Sequence, residues 1–383
     1  MHSLRNIAKS KFGDHRDFIS VSDSNEDFTA ITVCAYPTTE ARIESLKIPV
    51  KDAASLGDRN LPKDQLDDPK ASLSIIIVPR DDNEKIEMPK VYFLQVFEAF
   101  NLDPCVLPLI SSNWYGVYST EVPYRSAYTF FIGTVSHVWV FAFKPKAMTT
   151  CAIWLPRDSD GLKFSNETIT DFESILDNLK EMIYSPHFLI FAVLVQLAGW
   201  LDRFAYNELK GIRAIEYTTN HGPYGEASGK RIPTTDHRAM THAFMELSKR
   251  AGTAVVTLAN CSRHQDIAVS LYDLLESEVE KAAYTYGITQ EFHEMLDDSA
   301  KEILVAVRSI KKQIQGGILT TQYLRERTKT QATVSEARRN KREYCGRSRE
   351  EQLIDEDHLN HDNGVLTWYL LCGPLRNSIF EMG

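Results

Sequence analysis

The stretch Ser185–Tyr224 constrains the fold more than any other part of the chain, because a solid apolar run changes there into an amphipathic pattern. Ser185 followed by Pro186 is typical of a helix start: the serine oxygen can accept from free first-turn amides, and proline lacks only a donor that would be unpaired anyway. The later apolar positions recur at helical spacing; they are Leu197, Leu201, Phe204, Ile212 and Ile215. The pattern predicts a buried helix that leads into a stalk.

The apolar part of this stretch does not predict a membrane span. The run Phe188–Leu201 contains Gln196 and is shorter than the roughly twenty apolar residues that cross a bilayer. The N-terminal residues hold no apolar core of signal-peptide length, so secretion is not expected. Six scattered cysteines without a CxxC pair indicate reduced thiols. We therefore predict a chain without a membrane span, located in the cytoplasm.

The bulk composition excludes one class of partner. A length of 383 residues, with 43% hydrophobic and 25% charged residues, is typical of a soluble globular protein with room for two domains. The formal net charge is -9. Because phosphate binding needs a concentrated excess of Lys and Arg, we expect no nucleic acid partner.

The first half of the chain predicts a sheet. Residues 1–70 mix short apolar islands with Asp, Ser, Asn and Lys, and we predict an irregular N-terminal segment. Residues 71–164 predict an α/β (α+β) domain with a mixed, largely antiparallel sheet, which begins at the β-branched strand Leu73–Val78 and continues with a helix at Pro89. Four further aromatic and β-branched runs predict adjacent strands; they are Trp114–Ser119, Ala127–Gly133, Val135–Phe143 and Thr149–Leu155.

The second half predicts long helices. Residues 165–334 show helical spacing almost throughout and predict a long-helix bundle or stalk. The last helix has the clearest seam, with steps of four, three and four: Ile303, Val307, Ile310 and Ile314. The same register weakens through Gly317, Thr321 and Leu324. Such spacing is typical of helix packing within one bundle or between subunits, so we predict a homo-oligomer or a helical protein partner.

Opposed charge blocks mark the C-terminal part. Arg325–Arg349 holds nine basic residues against three acidic ones, and Glu350–Asp362 holds six acidic residues without Lys or Arg. Such blocks are typical of solvated surfaces. We predict a charged tail over residues 335–383, and the sequence leaves open whether it is ordered.

No stretch predicts a catalytic or cofactor-binding residue, because the GxSxG elbow, the glycine-rich phosphate loop and the Rossmann fingerprint are absent from the sequence. Metal ligands stay unknown. Three groups mix His with carboxylates. They are Asp236 with His237 and His242; His293 with Glu294 and Asp297; and His358 and His361 among Asp355, Glu356, Asp357 and Asp362. In the first the spacing does not let the side chains converge. In the second the i, i+4 spacing shares a helix face, but a solvated acidic face is favoured. In the third the i, i+3 histidines among hard oxygens are suited to a divalent ion, but the segment has little apolar content to fix it in place.

Three motifs carry a resemblance to a known family. They are the I-R-x-I-E-x-x-T run at Ile212–Thr219, the strand pair YTFFIGTVSHVWVFAFKP, and Tyr323-Leu-x-x-Arg327 followed by Gln331. In this order, over roughly residues 70–334, the chain resembles the cytosolic part of fungal CorA-like magnesium transporter proteins. The resemblance implies an ion-sensing domain, with Mg²⁺ as its only implied ion. In that family two membrane helices and a Gly-Met-Asn motif follow; this sequence has a charged tail instead and lacks Gly-Met-Asn, so a pore is not expected.

The first functional expectation is a non-enzymatic soluble domain with a regulatory or assembly role, lacking the membrane pore. Two alternatives stay open. One is an enzyme with an aromatic-lined pocket between sheet and helices, lined by Trp114, Tyr118, Trp139 and Trp154. The other is a helical protein-interaction module unrelated to transport.

Overall fold

The structure, a computed structural model of the chain, describes residues 2–12, 18–19, 27–36, 39–57, 69–80, 85–112, 114–122, 127–134, 136–156, 166–219, 221–222, 237–282 and 286–361. Within these ranges the strands are β1 (Asp27–Ala35), β2 (Arg42–Pro49), β3 (Ala71–Ile77), β4 (Gly116–Val122), β5 (Ala127–Gly133), β6 (His137–Lys144) and β7 (Thr149–Pro156). The helices are α1 (His2–Lys11), α2 (Lys90–Ala99), α3 (Leu107–Ser111), α4 (Asn166–Leu179), α5 (Phe188–Thr219), α6 (His237–Glu278) and α7 (His293–His361).

The strands form one sheet in the order β2-β1-β3-β7-β6-β5-β4. Among these strands only β3 and β7 pair in parallel, and all their other pairings are antiparallel. Long helices follow the sheet along the chain. The predicted fold class, a mixed and largely antiparallel sheet followed by long helices, is confirmed. The predicted apolar runs correspond to β3 and to β4 through β7.

The irregular N-terminal segment predicted over residues 1–70 is wrong where β1 and β2 lie. β1 is almost wholly buried because it lies between β2 and β3. β2 forms an edge of the sheet, and most of its residues are exposed or half-buried. An edge strand of this kind needs no apolar alternation, which explains why the sequence pattern did not predict it.

One face of the sheet, here called the bundle face, packs against α4 and α5. Trp139 of β6 stacks on Trp154 of β7 with ring centroids 4.4 Å apart. Phe172 of α4 contacts both rings, at 4.7 and 5.2 Å. All three side chains are fully buried. Burying an aromatic side chain stabilises a fold by roughly 1.5–3 kcal/mol, so this cluster ties α4 to the sheet.

The opposite face, here called the N-terminal face, is covered by α1 and α2. Phe93 and Phe97 of α2 pack there with Phe12, which follows α1. A buried ion pair ties α1 to the turn after α2: Arg5 donates to the Asp103 carboxylate from Nε at 3.0 Å and from Nη2 at 2.8 Å. The two side chains are 11% and 1% exposed.

Two compact units divide the chain. The first comprises Met1–Ile212 and Thr253–Thr328, and the second comprises Arg213–Gly252 and Lys329–Gly383. The predicted division at 164/165 does not coincide with these units, because a single core in the first unit contains residues of the sheet, α4 and the long helices. In the predicted tail, α7 continues through His361, and residues 362–383 lie outside the described residues.

Helix α5 is the one helix in the described part of the chain that is long and apolar enough to cross a membrane, judged by length and composition. Within its most apolar window, 56% is buried inside the protein. A core helix meets the same criterion, so the absence of a membrane span stays a prediction.

Candidate functional site

The seam predicted on the last helix extends further than its apolar part. Buried or half-buried positions step by four and three along α7; they are Ile303, Val307, Ile310, Ile314, Gly317, Thr321, Leu324 and Thr328 in the first unit. On α6 the same unit has a matching series: Ala254, Leu258, Cys261, Gln265, Ala268, Tyr272 and Leu275. Both helices therefore carry the heptad spacing that is typical of knobs-into-holes packing.

The contacts show that α6 and α7 run antiparallel in the first unit. Lys311 Nζ donates to Glu276 Oε2 at 2.7 Å, and further along α7 Leu324 packs with Leu258. Between these contacts lies a polar layer, in which Gln265 Nε2 donates to Thr321 Oγ1 at 2.9 Å. Buried polar layers of this kind fix the register of paired helices.

The second unit contains a similar arrangement, and it brings two resemblance motifs together. Thr219 Oγ1 donates to Gln331 Oε1 at 2.8 Å, and Gln331 Nε2 donates to the carbonyl of His221 at 2.9 Å. Both side chains are buried, Thr219 at 0% and Gln331 at 2% exposure. The apolar partners in this unit are Ile215, Phe244, Leu247 and Ala251. The motif residues thus hold helices together by hydrogen bonds.

A concavity of about 520 Å³ opens in the first unit between the sheet, α4 and α5. We call it the α4–α5 groove. Its lining combines aromatic, charged and small residues, including Trp139, Asp171, Gly199, Trp200, Arg203 and His264. Arg203 and Asp171 lie 3.7 Å apart, and their side chains are 66% and 58% exposed. The groove therefore carries an ion pair that solvent screens and that a charged ligand can replace.

Two histidines at this groove are fixed by hydrogen bonds. His264 donates from Nδ1 to the carbonyl of Asn260 at 2.8 Å, and its ring packs on Trp200 at 4.6 Å. Burial lowers the pKa of His264, so its imidazole is neutral near pH 7. His137 accepts at Nδ1 from Trp154 Nε1 at 3.2 Å. Each ring is held in one orientation by its partner.

The aromatic lining predicted for an enzymatic pocket is only partly brought together. Trp139 lines the groove, while Trp154 lies in the core behind it. Trp114 lines a separate concavity with Tyr115 and Arg263, and Tyr118 is 37% exposed on β4. Trp139 Nε1 has no hydrogen-bond partner among the described residues, yet the side chain is fully buried. A ligand could reach this N–H only by displacing side chains.

A buried histidine at the start of α5 was missed by the sequence reading. His187 Nε2 and the hydroxyl of Tyr286 form a hydrogen bond of 3.0 Å, and His187 Nδ1 has no partner in the described part of the chain. Burial lowers the pKa of His187 to about 4 and raises the pKa of Tyr286. Both groups are therefore neutral at pH 7. A lone histidine after Ser-Pro carries no sequence signal for such a pair.

The described residues hold no cluster of three His, Cys, Asp or Glu side chains suited to a metal ion. His293 instead donates from Nε2 to the carbonyl of Ile288 at 3.1 Å. The side chains of His237, His358 and His361, and the whole of Asp236, lie outside the part that is described.

This chain shows few similarities to known proteins. No protein-family model matches the chain, and none of the curated proteins matches it either. Among solved structures, the chain is similar to the structure of the full-length CmaX protein, with 10% sequence identity and a TM-score of 0.45. The likeness covers 87% of this chain and 83% of that one. At this level it indicates a distant relationship of fold alone.

Proposed function

We propose that the protein is a non-enzymatic, cytoplasmic regulatory or assembly module, with the CorA-like organisation that its motifs resemble and without a pore. The observation that carries the proposal is the pair of long heptad seams on α6 and α7, which are buried and interrupted by the hydrogen-bonded Gln265–Thr321 layer. Because these seams pair α6 with α7 within the chain, they give a long bundle of fixed register, which is suited to transmitting small shifts along its length.

Mg²⁺ enters this proposal through the sequence resemblance alone. The test is the mass of the purified chain by light scattering, in millimolar magnesium and again with a chelator, together with its thermal unfolding. We expect an oligomer whose size or thermal stability changes with the ion, because a ligand stabilises only the state that it binds. A chain that is monomeric and indifferent to magnesium contradicts the proposal.

The α4–α5 groove supports a second candidate, the binding of a small planar anion. Half-buried Trp200 contributes an aromatic ring to the lining, packed on Phe204 and His264, and Arg203 offers a cation at the same groove. A Cβ added at Gly199 meets no atom within 4 Å. Gly199→Leu therefore fills the groove without a backbone clash.

This candidate is tested by thermal shift with nucleotides and aromatic carboxylates as probes. We expect a probe that stabilises the wild type and the control Gly252→Leu, but not Gly199→Leu. The control fits because Gly252 is also helical and also has open space around its Cβ. If no probe raises the unfolding temperature, or if Gly199→Leu responds equally, the groove is not the site.

A further inference from the structure

Helix α7 carries a second stripe on the side opposite its buried seam. Its members step by four and three, two residues out of phase with the seam, which is roughly 200° around the helix. They are Val305, Ser309, Lys312, Gly316, Leu319, Tyr323 and Glu326, all exposed. We call this set the outer stripe. All of it lies in the first unit.

The apolar members of the outer stripe are unusually exposed for their size. Val305 is 67%, Leu319 is 68% and Tyr323 is 55% exposed. Single exposed apolar residues need no explanation, but a series at heptad spacing is the pattern by which one helix recognises another. The buried seam of α7 already packs within its own chain, so the outer stripe is suited to a second helix.

We propose that the outer stripe binds the same stripe of a second copy of this chain in antiparallel orientation. This inference deepens the assembly role proposed above and rests on it. A two-fold axis between Gly316 and Leu319 makes the stripe from Ser309 to Glu326 self-complementary, as an isologous contact requires. Each Leu319 then faces the partner's Gly316, where a Cβ would meet no atom within 4 Å.

The charges of the stripe select the antiparallel orientation. In that arrangement Lys312 faces the partner's Tyr323 and lies one turn from the partner's Glu326, which combines a cation–π contact with an opposite charge. Arg327 of the same helix lies over the Tyr323 ring at 5.2 Å from its centroid, which orients the ring along the helix. A parallel pair would place Lys312 against the partner's Lys312, and such like-charge contacts disfavour association.

The test is sedimentation equilibrium of the full chain with charge-reversed variants. Lys312→Glu and Glu326→Lys should each weaken dimerisation by roughly fivefold to tenfold, because each brings like charges together. The double variant Lys312→Glu with Glu326→Lys should recover most of the wild-type affinity, because the opposite charges meet again. In a parallel dimer, position 312 faces the same position of the partner. Lys312→Glu would then leave dimerisation unchanged, because like charges face each other both before and after the substitution.

An apolar variant and a matched control complete the experiment. Leu319→Glu should weaken dimerisation by about tenfold or more, while Val256→Glu, at an equally exposed position of α6, should not. Unfolding temperatures of these variants show that the fold is kept. A chain that is monomeric at all concentrations overturns both this inference and the assembly role. If Leu319→Glu dimerises with unchanged affinity, or if the double charge variant does not recover the wild-type affinity, the outer stripe is not the contact, while the assembly role stands.

Discussion

On the N-terminal face of the sheet the protein buries a charged pair, Arg5 and Asp103, whereas on the bundle face it buries a neutral pair, His187 and Tyr286. The Asp103 carboxylate of the charged pair has further support: besides Arg5, it accepts from the amide of Cys105, at 3.0 Å. Burial alone would raise the pKa of Asp103, but these donors hold it below its ordinary value. In the described part of the chain the neutral pair has no such donors, and burial lowers the pKa of His187 unopposed.

The comparison shows two ways to keep polar groups inside one fold. Where opposite charges can meet in bidentate geometry, ionisation is maintained, and loss of one partner is costly. Where a histidine meets only a phenol, the imidazole stays neutral and becomes sensitive to acid. Experiments on each face can therefore separate the two mechanisms.

The largest effect is expected for Asp103→Ala. It leaves the Arg5 guanidinium buried without its carboxylate and removes the acceptor of the Cys105 amide. We expect the free energy of unfolding to fall by about 3–5 kcal/mol, as when one partner of a buried ion pair is removed. Urea denaturation measures it. A loss below about 1 kcal/mol, as at an exposed pair, would contradict this account.

The bundle face should respond to pH. The pKa of His187 is about 4 in the folded protein against an ordinary value of 6.5, so the unfolded chain binds the proton first. Neutral His187 therefore contributes on the order of 3 kcal/mol to the free energy of unfolding. This contribution is complete above pH 6.5 and is lost as the pH falls toward 4.

Urea midpoints measured between pH 7 and pH 4 check this second prediction, with His187→Gln as the control. The wild type should lose stability more steeply than the variant over that window. Parallel curves would mean that His187 is not the acid-sensitive group, because the other titrating groups are common to both proteins.

A smaller effect is expected in the polar layer between α6 and α7. Thr321→Val removes the acceptor of Gln265 Nε2 and leaves that amide buried. The free energy of unfolding should fall by about 1–3 kcal/mol. Adding Gln265→Leu should restore part of the lost free energy of unfolding, because the buried Gln265 amide donor is then gone. If the double variant is less stable than Thr321→Val alone, the layer is held by packing rather than by hydrogen bonding.

The smallest effect is expected at the exposed pair on the N-terminal face. Lys9 Nζ and Glu98 Oε1 lie 3.1 Å apart, with 41% and 61% of the side chains exposed. Lys9→Ala should change the free energy of unfolding by less than about 1 kcal/mol. Because Lys9 lies on the same helix as Arg5, urea denaturation of Lys9→Ala is the reference for the buried pair. An equal loss of free energy of unfolding at both sites would show that burial of the pair makes no difference.

The sequence predicted those elements of the fold whose residue pattern is local, within one run of the chain. The aromatic and β-branched runs placed β4 through β7 because each is bounded by turn residues, and the heptad steps placed the seam of α7. β2 was missed because an edge strand with exposed side chains carries no apolar alternation. The tail was left open because its charge blocks hide the helix that continues to His361.

The candidate sites were less predictable, since they join residues that are distant along the chain. The α4–α5 groove combines Trp139, Asp171, Arg203 and His264, and no local pattern relates these positions. The outer stripe is local and could have been found from its spacing. Beyond Ile314 the seam of α7 is harder to follow in the sequence, because Gly317, Thr321 and Thr328 are small or polar yet are buried or half-buried.

The single parallel pairing in the sheet also bears on how the chain folds. It joins Ser72 through Ile77 to Thr149 through Trp154, and so connects two antiparallel halves, β2-β1-β3 and β7-β6-β5-β4, each of which can form from neighbouring segments. Contacts between distant segments form slowly because loop closure must precede them. During synthesis, the edge of β3 that pairs with β7 therefore has no partner until β7 leaves the ribosome. An unpaired strand edge is a site of mispairing, so this edge of β3 is exposed to it in that interval.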